Sequence, residues 1–161
     1  MPFCGAAIFV SANLRQKRVI RLKRDIAKEE EIRKYLSEYA GDIKIETVNI
    51  IDSTNDEMKR RAEKGEREIS LLIAEEQTTG KGTKGRSFFS PVGTGIYMSF
   101  LLRPAYSPEE CTLLTTMAAV STAKAIEKVT GRKPQIKWVN DIYVDSKKLA
   151  GILVESVNDY D

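Results

Sequence analysis

Between Gly80 and Arg86 the chain reads "GKGTKGR", so that three glycines alternate with Lys81, Lys84 and Arg86, and Phe88 and Phe89 follow almost at once. Glycine has no Cβ, which lets neighbouring backbone N–H groups turn toward one centre. Interleaved cations then neutralise several oxygens of a polyphosphate or acyl phosphate, Arg86 with a planar fork of donors and the lysines as point charges. The same residues would equally make an exposed basic hairpin loop with no ligand, and spacing alone does not choose, because glycine-rich loops are weak motifs. One look-alike is excluded. "GKGTKGRS" comes within one residue of a P-loop. A P-loop opens a helix, whereas "FFSPVGTG", with Pro91, Gly93 and Gly95, leads into a strand.

Three other places hold polar groups in positions suited to chemistry. "DSTND" at 52–56 sets Ser53, Thr54 and Asn55 at a helix start, where hydroxyls and free N–H groups grip a small polar ligand. Capping by itself accounts for only one of those three side chains. Gln77 closes an apolar strand immediately before the loop, and strand ends beside loops are where sites collect. In "KWVNDIYVDSKKLAGILVE", Lys137, Asn140, Asp141 and Lys148 surround short strands. Lys148 directly precedes an apolar run containing Gly151, which suits an ammonium at the edge of a dry pocket; an ordinary surface lysine is the competing reading.

Composition limits what these groups do. The chain has no histidine, which removes Ser-His-Asp and Cys-His catalysis and most zinc chemistry. Cys4 and Cys111 are the only cysteines; they do not make a metal site alone, no residue is assigned to a metal, and two thiols fit a reducing compartment. With 26 cations against 23 anions the net charge of +3 is too mild to imply nucleic acid. No apolar stretch approaches the ~18 residues of a membrane span, and "MPFCGAAIFVSAN" lacks the basic segment of a secretory signal. The expectation is a cytoplasmic protein without membrane contact, its 161 residues forming one domain.

The elements that must position these residues follow from periodicity. Residues 1–28 are the least readable, and Arg15, Lys17, Arg18, Arg21, Lys23 and Arg24 read either as a basic arm or as a solvated terminus. A helix is predicted over 28–41 from Ile32, Tyr35, Leu36 and Tyr39, with Gly41 ending it. "KIETVNII" reads as a strand. A helix then begins at Ser53 or Thr54, with Glu57 three after Thr54 as in a capping box, and ends at Gly65. "EISLLIAEE" and "GIYMSFLLRP" are strands, the second stopped by Pro104. The strongest helical pattern runs from a Ser107 cap with Pro108 and Glu110 to Gly131, with Leu113, Leu114, Met117, Val120, Ile126 and Val129 as its core stripe. "QIKWVN", "DIYVD" and "LAGILVE" are further strands, with "SKK" as a turn. The predicted fold class is α+β, a mixed and mainly antiparallel sheet with helices on one face.

Taken together, "STN" at 53–55, Gln77, "GKGTKGR" at 80–86 with "SFFSP", "KWVND" at 137–141 and "KLAGIL" at 148–153 resemble the catalytic domain of biotin protein ligase over about Asp52 to Glu155. The order and spacing of four motifs make the resemblance specific. It implies a class II synthetase-like ligase fold, with residues 29–161 as a partial catalytic domain. It also implies a two-step reaction, in which biotin and ATP, with Mg²⁺, form biotinyl-5'-AMP, and a lysine of a biotin carboxyl carrier protein accepts the biotin. Enzyme work would consist of binding, orienting and neutralising two anions.

Carried over residue by residue, the resemblance implies that Ser53, Thr54, Asn55 and Gln77 hold the ureido and carboxyl ends of biotin, with Lys81, Gly82, Thr83, Lys148 and Gly151 completing that pocket. Gly80, Lys81, Lys84, Gly85, Arg86, Phe88 and Asn140 would bind ATP. Lys148 and Arg86 would be catalytic, Lys148 bridging the carboxylate and α-phosphate. Thr83 stands where the family usually has the second loop arginine, which implies a leakier intermediate; Lys81 replaces an arginine and Val139 a proline. Family domains continue past "GILVE", so the expectation is a sheet incomplete at its C-terminal side with an exposed edge. Other readings stay open: a catalytically silent fold that binds biotin or ATP weakly, a lipoate or octanoyl transferase relative, and a nucleic-acid module built on the basic N-terminus, which lacks aromatic interleaving and a full winged-helix domain. Oligomeric state, a homodimer included, is not legible.

Overall fold

In "GIYMSFLL" alternate residues bury on opposite sides. Tyr97 and Leu101 are at most 1% exposed toward one face, and Met98, Phe100 and Leu102 pack on the other. A strand that is apolar on both faces belongs in the middle of a sheet covered twice, and the computed structural model places it there. The structure describes residues 4–13 (backbone only), 28–36, 43–103, 110 and 113–158. The elements are β1 (Cys4–Asn13), α1 (Glu29–Arg33), β2 (Lys44–Ile51), α2 (Thr54–Glu63), β3 (Ser70–Gln77), β4 (Gly95–Leu102), α3 (Leu113–Thr130), β5 (Gln135–Lys137), β6 (Asp141–Val144) and β7 (Lys147–Asn158). The basic run Arg15–Arg24, the helix end at Gly41, Tyr39, the stop at Pro104, the Ser107–Pro108 cap and Cys111 lie outside the described residues.

The strands form one seven-stranded sheet in the order β2-β3-β4-β1-β7-β6-β5. Among the described strands only β2 and β3 pair in parallel, with α2 as their crossover; the other pairs are antiparallel. The mixed, mainly antiparallel α+β class is therefore observed. The helices, however, are not confined to one face as expected, because the sheet's strands are apolar on both sides and each side needs cover. α1 and α3 cover one face, over Ile43, Ile45, Leu71, Ile142, Ala150 and Ile152, while α2 covers the other through Met58 and Ala62 on Leu72, Leu101 and Val157. Fully burying a side chain such as Met58 or Leu72 contributes about 1.5–3 kcal/mol, so α2 is pinned to the sheet by its own packing.

Four local expectations change. The first helix spans only Glu29–Arg33 among the described residues; Ile32 and Leu36 pack on the sheet but Tyr35 is 89% exposed. In α3, Leu114, Ala118, Ala119 and Ile126 face the sheet, and Leu113, Met117, Val120 and Val129 are exposed. Small alanines let the helix lie close to the strands, and the predicted stripe is right at Leu114 and Ile126 but takes Leu113, Met117, Val120 and Val129 from the exposed side. The β6–β7 turn is made by Asp145 and Ser146, with φ of 50° and 61°, as a two-residue hairpin requires, and not by "SKK". Finally, β1 sits between β4 and β7, an element the sequence reading did not assign. The run "AAIFV" carried the signal, since a short apolar run between polar flanks fits a buried strand.

Candidate functional site

The α2 start is built as a buried polar floor. Ser53 is extended and caps the helix, its Oγ accepting from Asp56 N at 3.3 Å. Because Ser53 and not Thr54 is the cap, Glu57 is not a capping-box partner; it pairs with Arg60 and Arg61 instead. Thr54 donates to Gln77 Oε1 twice, from its backbone N at 2.9 Å and from Oγ1 at 3.0 Å. Ser99 Oγ donates to Thr54 Oγ1 at 2.8 Å, and Gln77 Nε2 donates to Ser90 Oγ at 2.9 Å, which in turn donates to the Phe88 carbonyl. Ser53, Thr54, Asn55, Gln77, Ser90 and Ser99 are all buried. Burial of so many polar groups is tolerated because they satisfy one another. One atom is the exception. Asn55 donates through Nδ2 to Glu155, but its buried Oδ1 has no partner among the described residues.

The glycine-rich segment rises from this floor as a hairpin. Gln77 and Ser90 bridge at its base, Phe88 N donates to Gly80 O at 2.7 Å, Lys81 and Ser87 bridge above, and Gly82 N donates to Arg86 O at 2.7 Å. A single 3-10 turn, Thr83–Gly85, forms the tip, with Lys84 at φ 58° and Gly85 at φ 71°. Gly80 is required by close approach: a Cβ there would stand 2.5 Å from the Phe88 carbonyl oxygen and 2.6 Å from Ser90 Oγ. The first strand of the hairpin is tied to the β2–α2 corner by Thr78 N on Ile51 O and Thr79 N on Asp52 O, each at 2.9 Å. Asp52 itself receives a two-pronged contact from Arg60, both distances 2.9 Å, and that guanidinium holds its carboxyl below the ordinary 3.8.

Lys148 arrives from the far side of the sheet by a β-bulge. Ile142 faces Ala150, yet Tyr143 faces Lys148, so Leu149 is an extra residue on β7. A regular strand would send Lys148 to the same face as Ala150, toward α3. The inserted residue re-aims it onto the face of Gly151, where its Nζ meets Asp141 Oδ1 at 2.6 Å. A Cβ on Gly151 would lie 3.3 Å from Lys148 Cε and Nζ, so the glycine leaves the ammonium its place. Asn140 is fixed beside it, its Nδ2 donating to Ile152 O at 2.9 Å.

These parts meet in one open cleft, lined by Lys81, Gly82, Thr83 and Phe88 from the hairpin, by Asn140 and Asp141, and by Lys148, Gly151, Ile152 and Leu153 from β7. Of the predicted site residues, seven thus converge: Lys81, Gly82, Thr83, Phe88, Asn140, Lys148 and Gly151. Ser53, Thr54, Asn55 and Gln77 lie buried at the hairpin's foot and do not line the cleft. Gly80 stands in the stem, while Lys84 and Gly85 in the tip and Arg86 directly after it are exposed and do not line the cleft. Besides Asp141, which holds Lys148, two further carboxylates outside the predicted set complete the picture. Asp56 bonds Lys81 Nζ at 2.6 Å, and that contact, above all, raises the Lys81 pKa; Glu155 holds Asn55 and Lys59. Asp56 was visible as the acid of "DSTND", but only the fold brings it to the hairpin. Among the described residues no helix is long and apolar enough to cross a membrane.

Comparison with known proteins then adds a second line of support. The model of the Biotin/lipoate A/B protein ligase family matches residues 48–160. The Bifunctional ligase/repressor BirA of Bacillus spizizenii is 38% identical over 107 residues, covering 66% of this chain and 33% of the relative. The Biotin--[acetyl-CoA-carboxylase] ligase of Paracoccus denitrificans is 34% identical over 107 residues, 65% of this chain and 44% of that protein. The chain thus spans a third to under a half of the length of these relatives. Among solved structures, the biotin protein ligase from Aquifex aeolicus in complex with biotin and ATP aligns with a TM-score of 0.53 at 27% identity, covering 73% of this chain and 54% of that one. The Leishmania major biotin protein ligase in complex with biotin aligns with a TM-score of 0.60 at 22% identity, over 71% and 55% of the two chains, and supports the fold alone.

Proposed function

The chain belongs to the biotin/lipoate A/B protein ligase family, and on that premise we propose that it joins biotin to ATP as biotinyl-5'-AMP and passes the biotinyl group to a lysine of a biotin carboxyl carrier protein. The observation that carries the reading is the convergence of the hairpin, Asn140 and the bulged Lys148 on one cleft. In the first step a biotin carboxylate oxygen attacks the α-phosphorus and pyrophosphate leaves. Two anions must approach, and Lys148, re-aimed by the bulge onto the cleft, neutralises both as the bond forms. Arg86, exposed and without an ion pair among the described residues, takes phosphate oxygens with its fork of donors. Phe88 borders adenine and Asn140 the nucleotide. In the second step the acceptor amine attacks the biotinyl carbonyl, the C–O bond to AMP breaks, and the amine's proton goes to solvent.

The buried Asn55 Oδ1, without a partner among the described residues, is an acceptor suited to a ureido N–H of biotin. Mg²⁺ would enter with the triphosphate and neutralise phosphate charge there. The cleft offers Asp141 as one carboxylate, and among the described residues no group of three acids or cysteines stands together to hold a metal independently.

Calorimetry with biotin, then biotin plus ATP, followed by mass analysis of a carrier-protein lysine, tests the reading. Saturable biotin binding, adenylate formation and modification of the lysine are expected. Biotin binding with no adenylate would make the chain a binding module and overturn the ligase assignment.

A further inference from the structure

We propose that the Asp56–Lys81 ion pair is a latch between the first turn of α2 and the stem of the glycine hairpin, so that Lys81 positions the hairpin and leaves the phosphates to other cations; the inference rests on the ligase reading of the same cleft. Lys81 lies in the stem, bridged to Ser87 and directly after Gly80, whose backbone is pressed against Phe88. Below it the hairpin is tied down at Thr78, Thr79 and Gln77. Above it, Lys84 and Arg86 are exposed and make no ion pair among the described residues. The 2.6 Å contact to Asp56 Oδ1 is therefore the outermost tie between the hairpin and α2.

Electrostatics separates Lys81 from the other cations of the loop. Its ammonium bonds Asp56 and also feels Glu155 and Asp52. Glu155 is shared with Asn55 and Lys59, and Asp52 with Arg60. A phosphate drawn to Lys81 would first have to displace one carboxylate and then sit near two more, an arrangement that disfavours a polyanion. Lys84 and Arg86 carry no such neighbours among the described residues. Asp56 also stands in the first turn of α2, where an acid favours the helix on its own account, so the test must separate that role from the latch.

Hydrogen exchange of residues 80–88 in the free protein, together with KM values for ATP and biotin, does so. Asp56→Asn and Lys81→Met are each expected to speed exchange in the hairpin and raise both KM values about two- to fivefold, the range of a half-exposed ion pair. The double variant should be no worse than either single one, and Lys81→Arg, which keeps the pair, should restore wild-type exchange. If Lys81 were a phosphate ligand, Asp56→Asn would free it and lower the KM for ATP, and that result would overturn the latch. Unchanged exchange in both single variants would overturn it as well. The exchange experiment needs no substrate, so failure of the wild-type chain to bind biotin or ATP sinks the ligase reading separately.

Discussion

Thr54, Gln77, Ser90 and Ser99 are at most 5% exposed and joined by neutral hydrogen bonds of 2.8–3.0 Å, whereas the side chains of Lys81 and Lys148, at the edge of the same site, are 46% and 40% exposed and each held by one carboxylate. The two regions differ in what a broken contact costs. In the floor, removing one partner strands others away from water, and each orphaned group costs about 1–3 kcal/mol. At the rim, solvent replaces the lost partner, and a half-exposed pair is worth about 0–1 kcal/mol. A floor of that kind holds a shape; a rim of that kind lets Lys148 exchange Asp141 for a transient anion, while Lys81, with Glu155 and Asp52 near its partner Asp56, is the rim cation least suited to that exchange. The division of labour is open to attack from both sides.

The largest effect is expected at the rim, in chemistry and not in stability. Lys148→Ala should slow adenylate formation by about 100- to 1000-fold, as when a preorganised charge-stabilising group is removed, while moving the denaturation midpoint hardly at all; pyrophosphate release and urea titration measure the two. Gln77→Ala should show the converse balance. Thr54 N would lose its partner, and Thr54 Oγ1 and Ser90 Oγ would each lose one of two, and urea denaturation should report a loss of about 2–3 kcal/mol. A Lys148 variant that unfolds easily, or a Gln77 variant of native stability, would erase the distinction between the regions.

How legible was this from sequence? The rim residues were legible through the order of four motifs that resemble a known family, since the glycine and cation loop alone left a bare basic hairpin equally open: Lys81, Thr83, Phe88, Asn140 and Lys148 line the cleft. The floor was legible only in part. Ser53 and Gln77 were singled out for their places at a helix start and a strand end, but Ser90 and Ser99, which complete the network, are ordinary serines until β3 and β4 are laid side by side. The bulge at Leu149 was invisible, since a register shift is a property of two strands and not of one. The same limit hid Asp56, 25 residues from Lys81. Strand identity was mostly readable from apolar runs, while β1 and, apart from Leu114 and Ile126, the sheet-facing side of α3 were not, because short apolar runs and small alanines leave weak signals.

Thr83 sharpens the rim further. It lines the cleft at the start of the hairpin tip, with its carbonyl accepting from Arg86 N at 3.3 Å. A hydroxyl there offers no charge-assisted contact to a phosphate, and such a contact is worth about 1.5–3 kcal/mol. Thr83→Arg should therefore slow release of free biotinyl-AMP by about tenfold to a hundredfold and make modification of lysines on bystander proteins rarer. Release rates measured for both chains decide the matter; equal rates would mean that Lys84 or Arg86 already supplies the contact.

The smallest effect is expected where the two regions join. Asp52 and Arg60 form a rim-type pair, with side chains 45% and 42% exposed, directly beside the buried Ser53. Arg60 depresses the Asp52 pKa below 3.8 in the folded chain. A carboxyl depressed in this way adds stability above its unfolded value, and the contribution is lost as pH falls through the lower, folded value. Asp52→Asn should thus destabilise the chain at neutral pH by less than about 1 kcal/mol, since solvent screens a pair so exposed. The difference from wild type should shrink in about 1 M salt and disappear once the pH drops well below 3.8. Urea titrations of both chains across that range follow it. A cost above about 2 kcal/mol, insensitive to salt, would place Asp52 energetically with the buried network, and the boundary between floor and rim would then have to be redrawn one residue earlier in the chain.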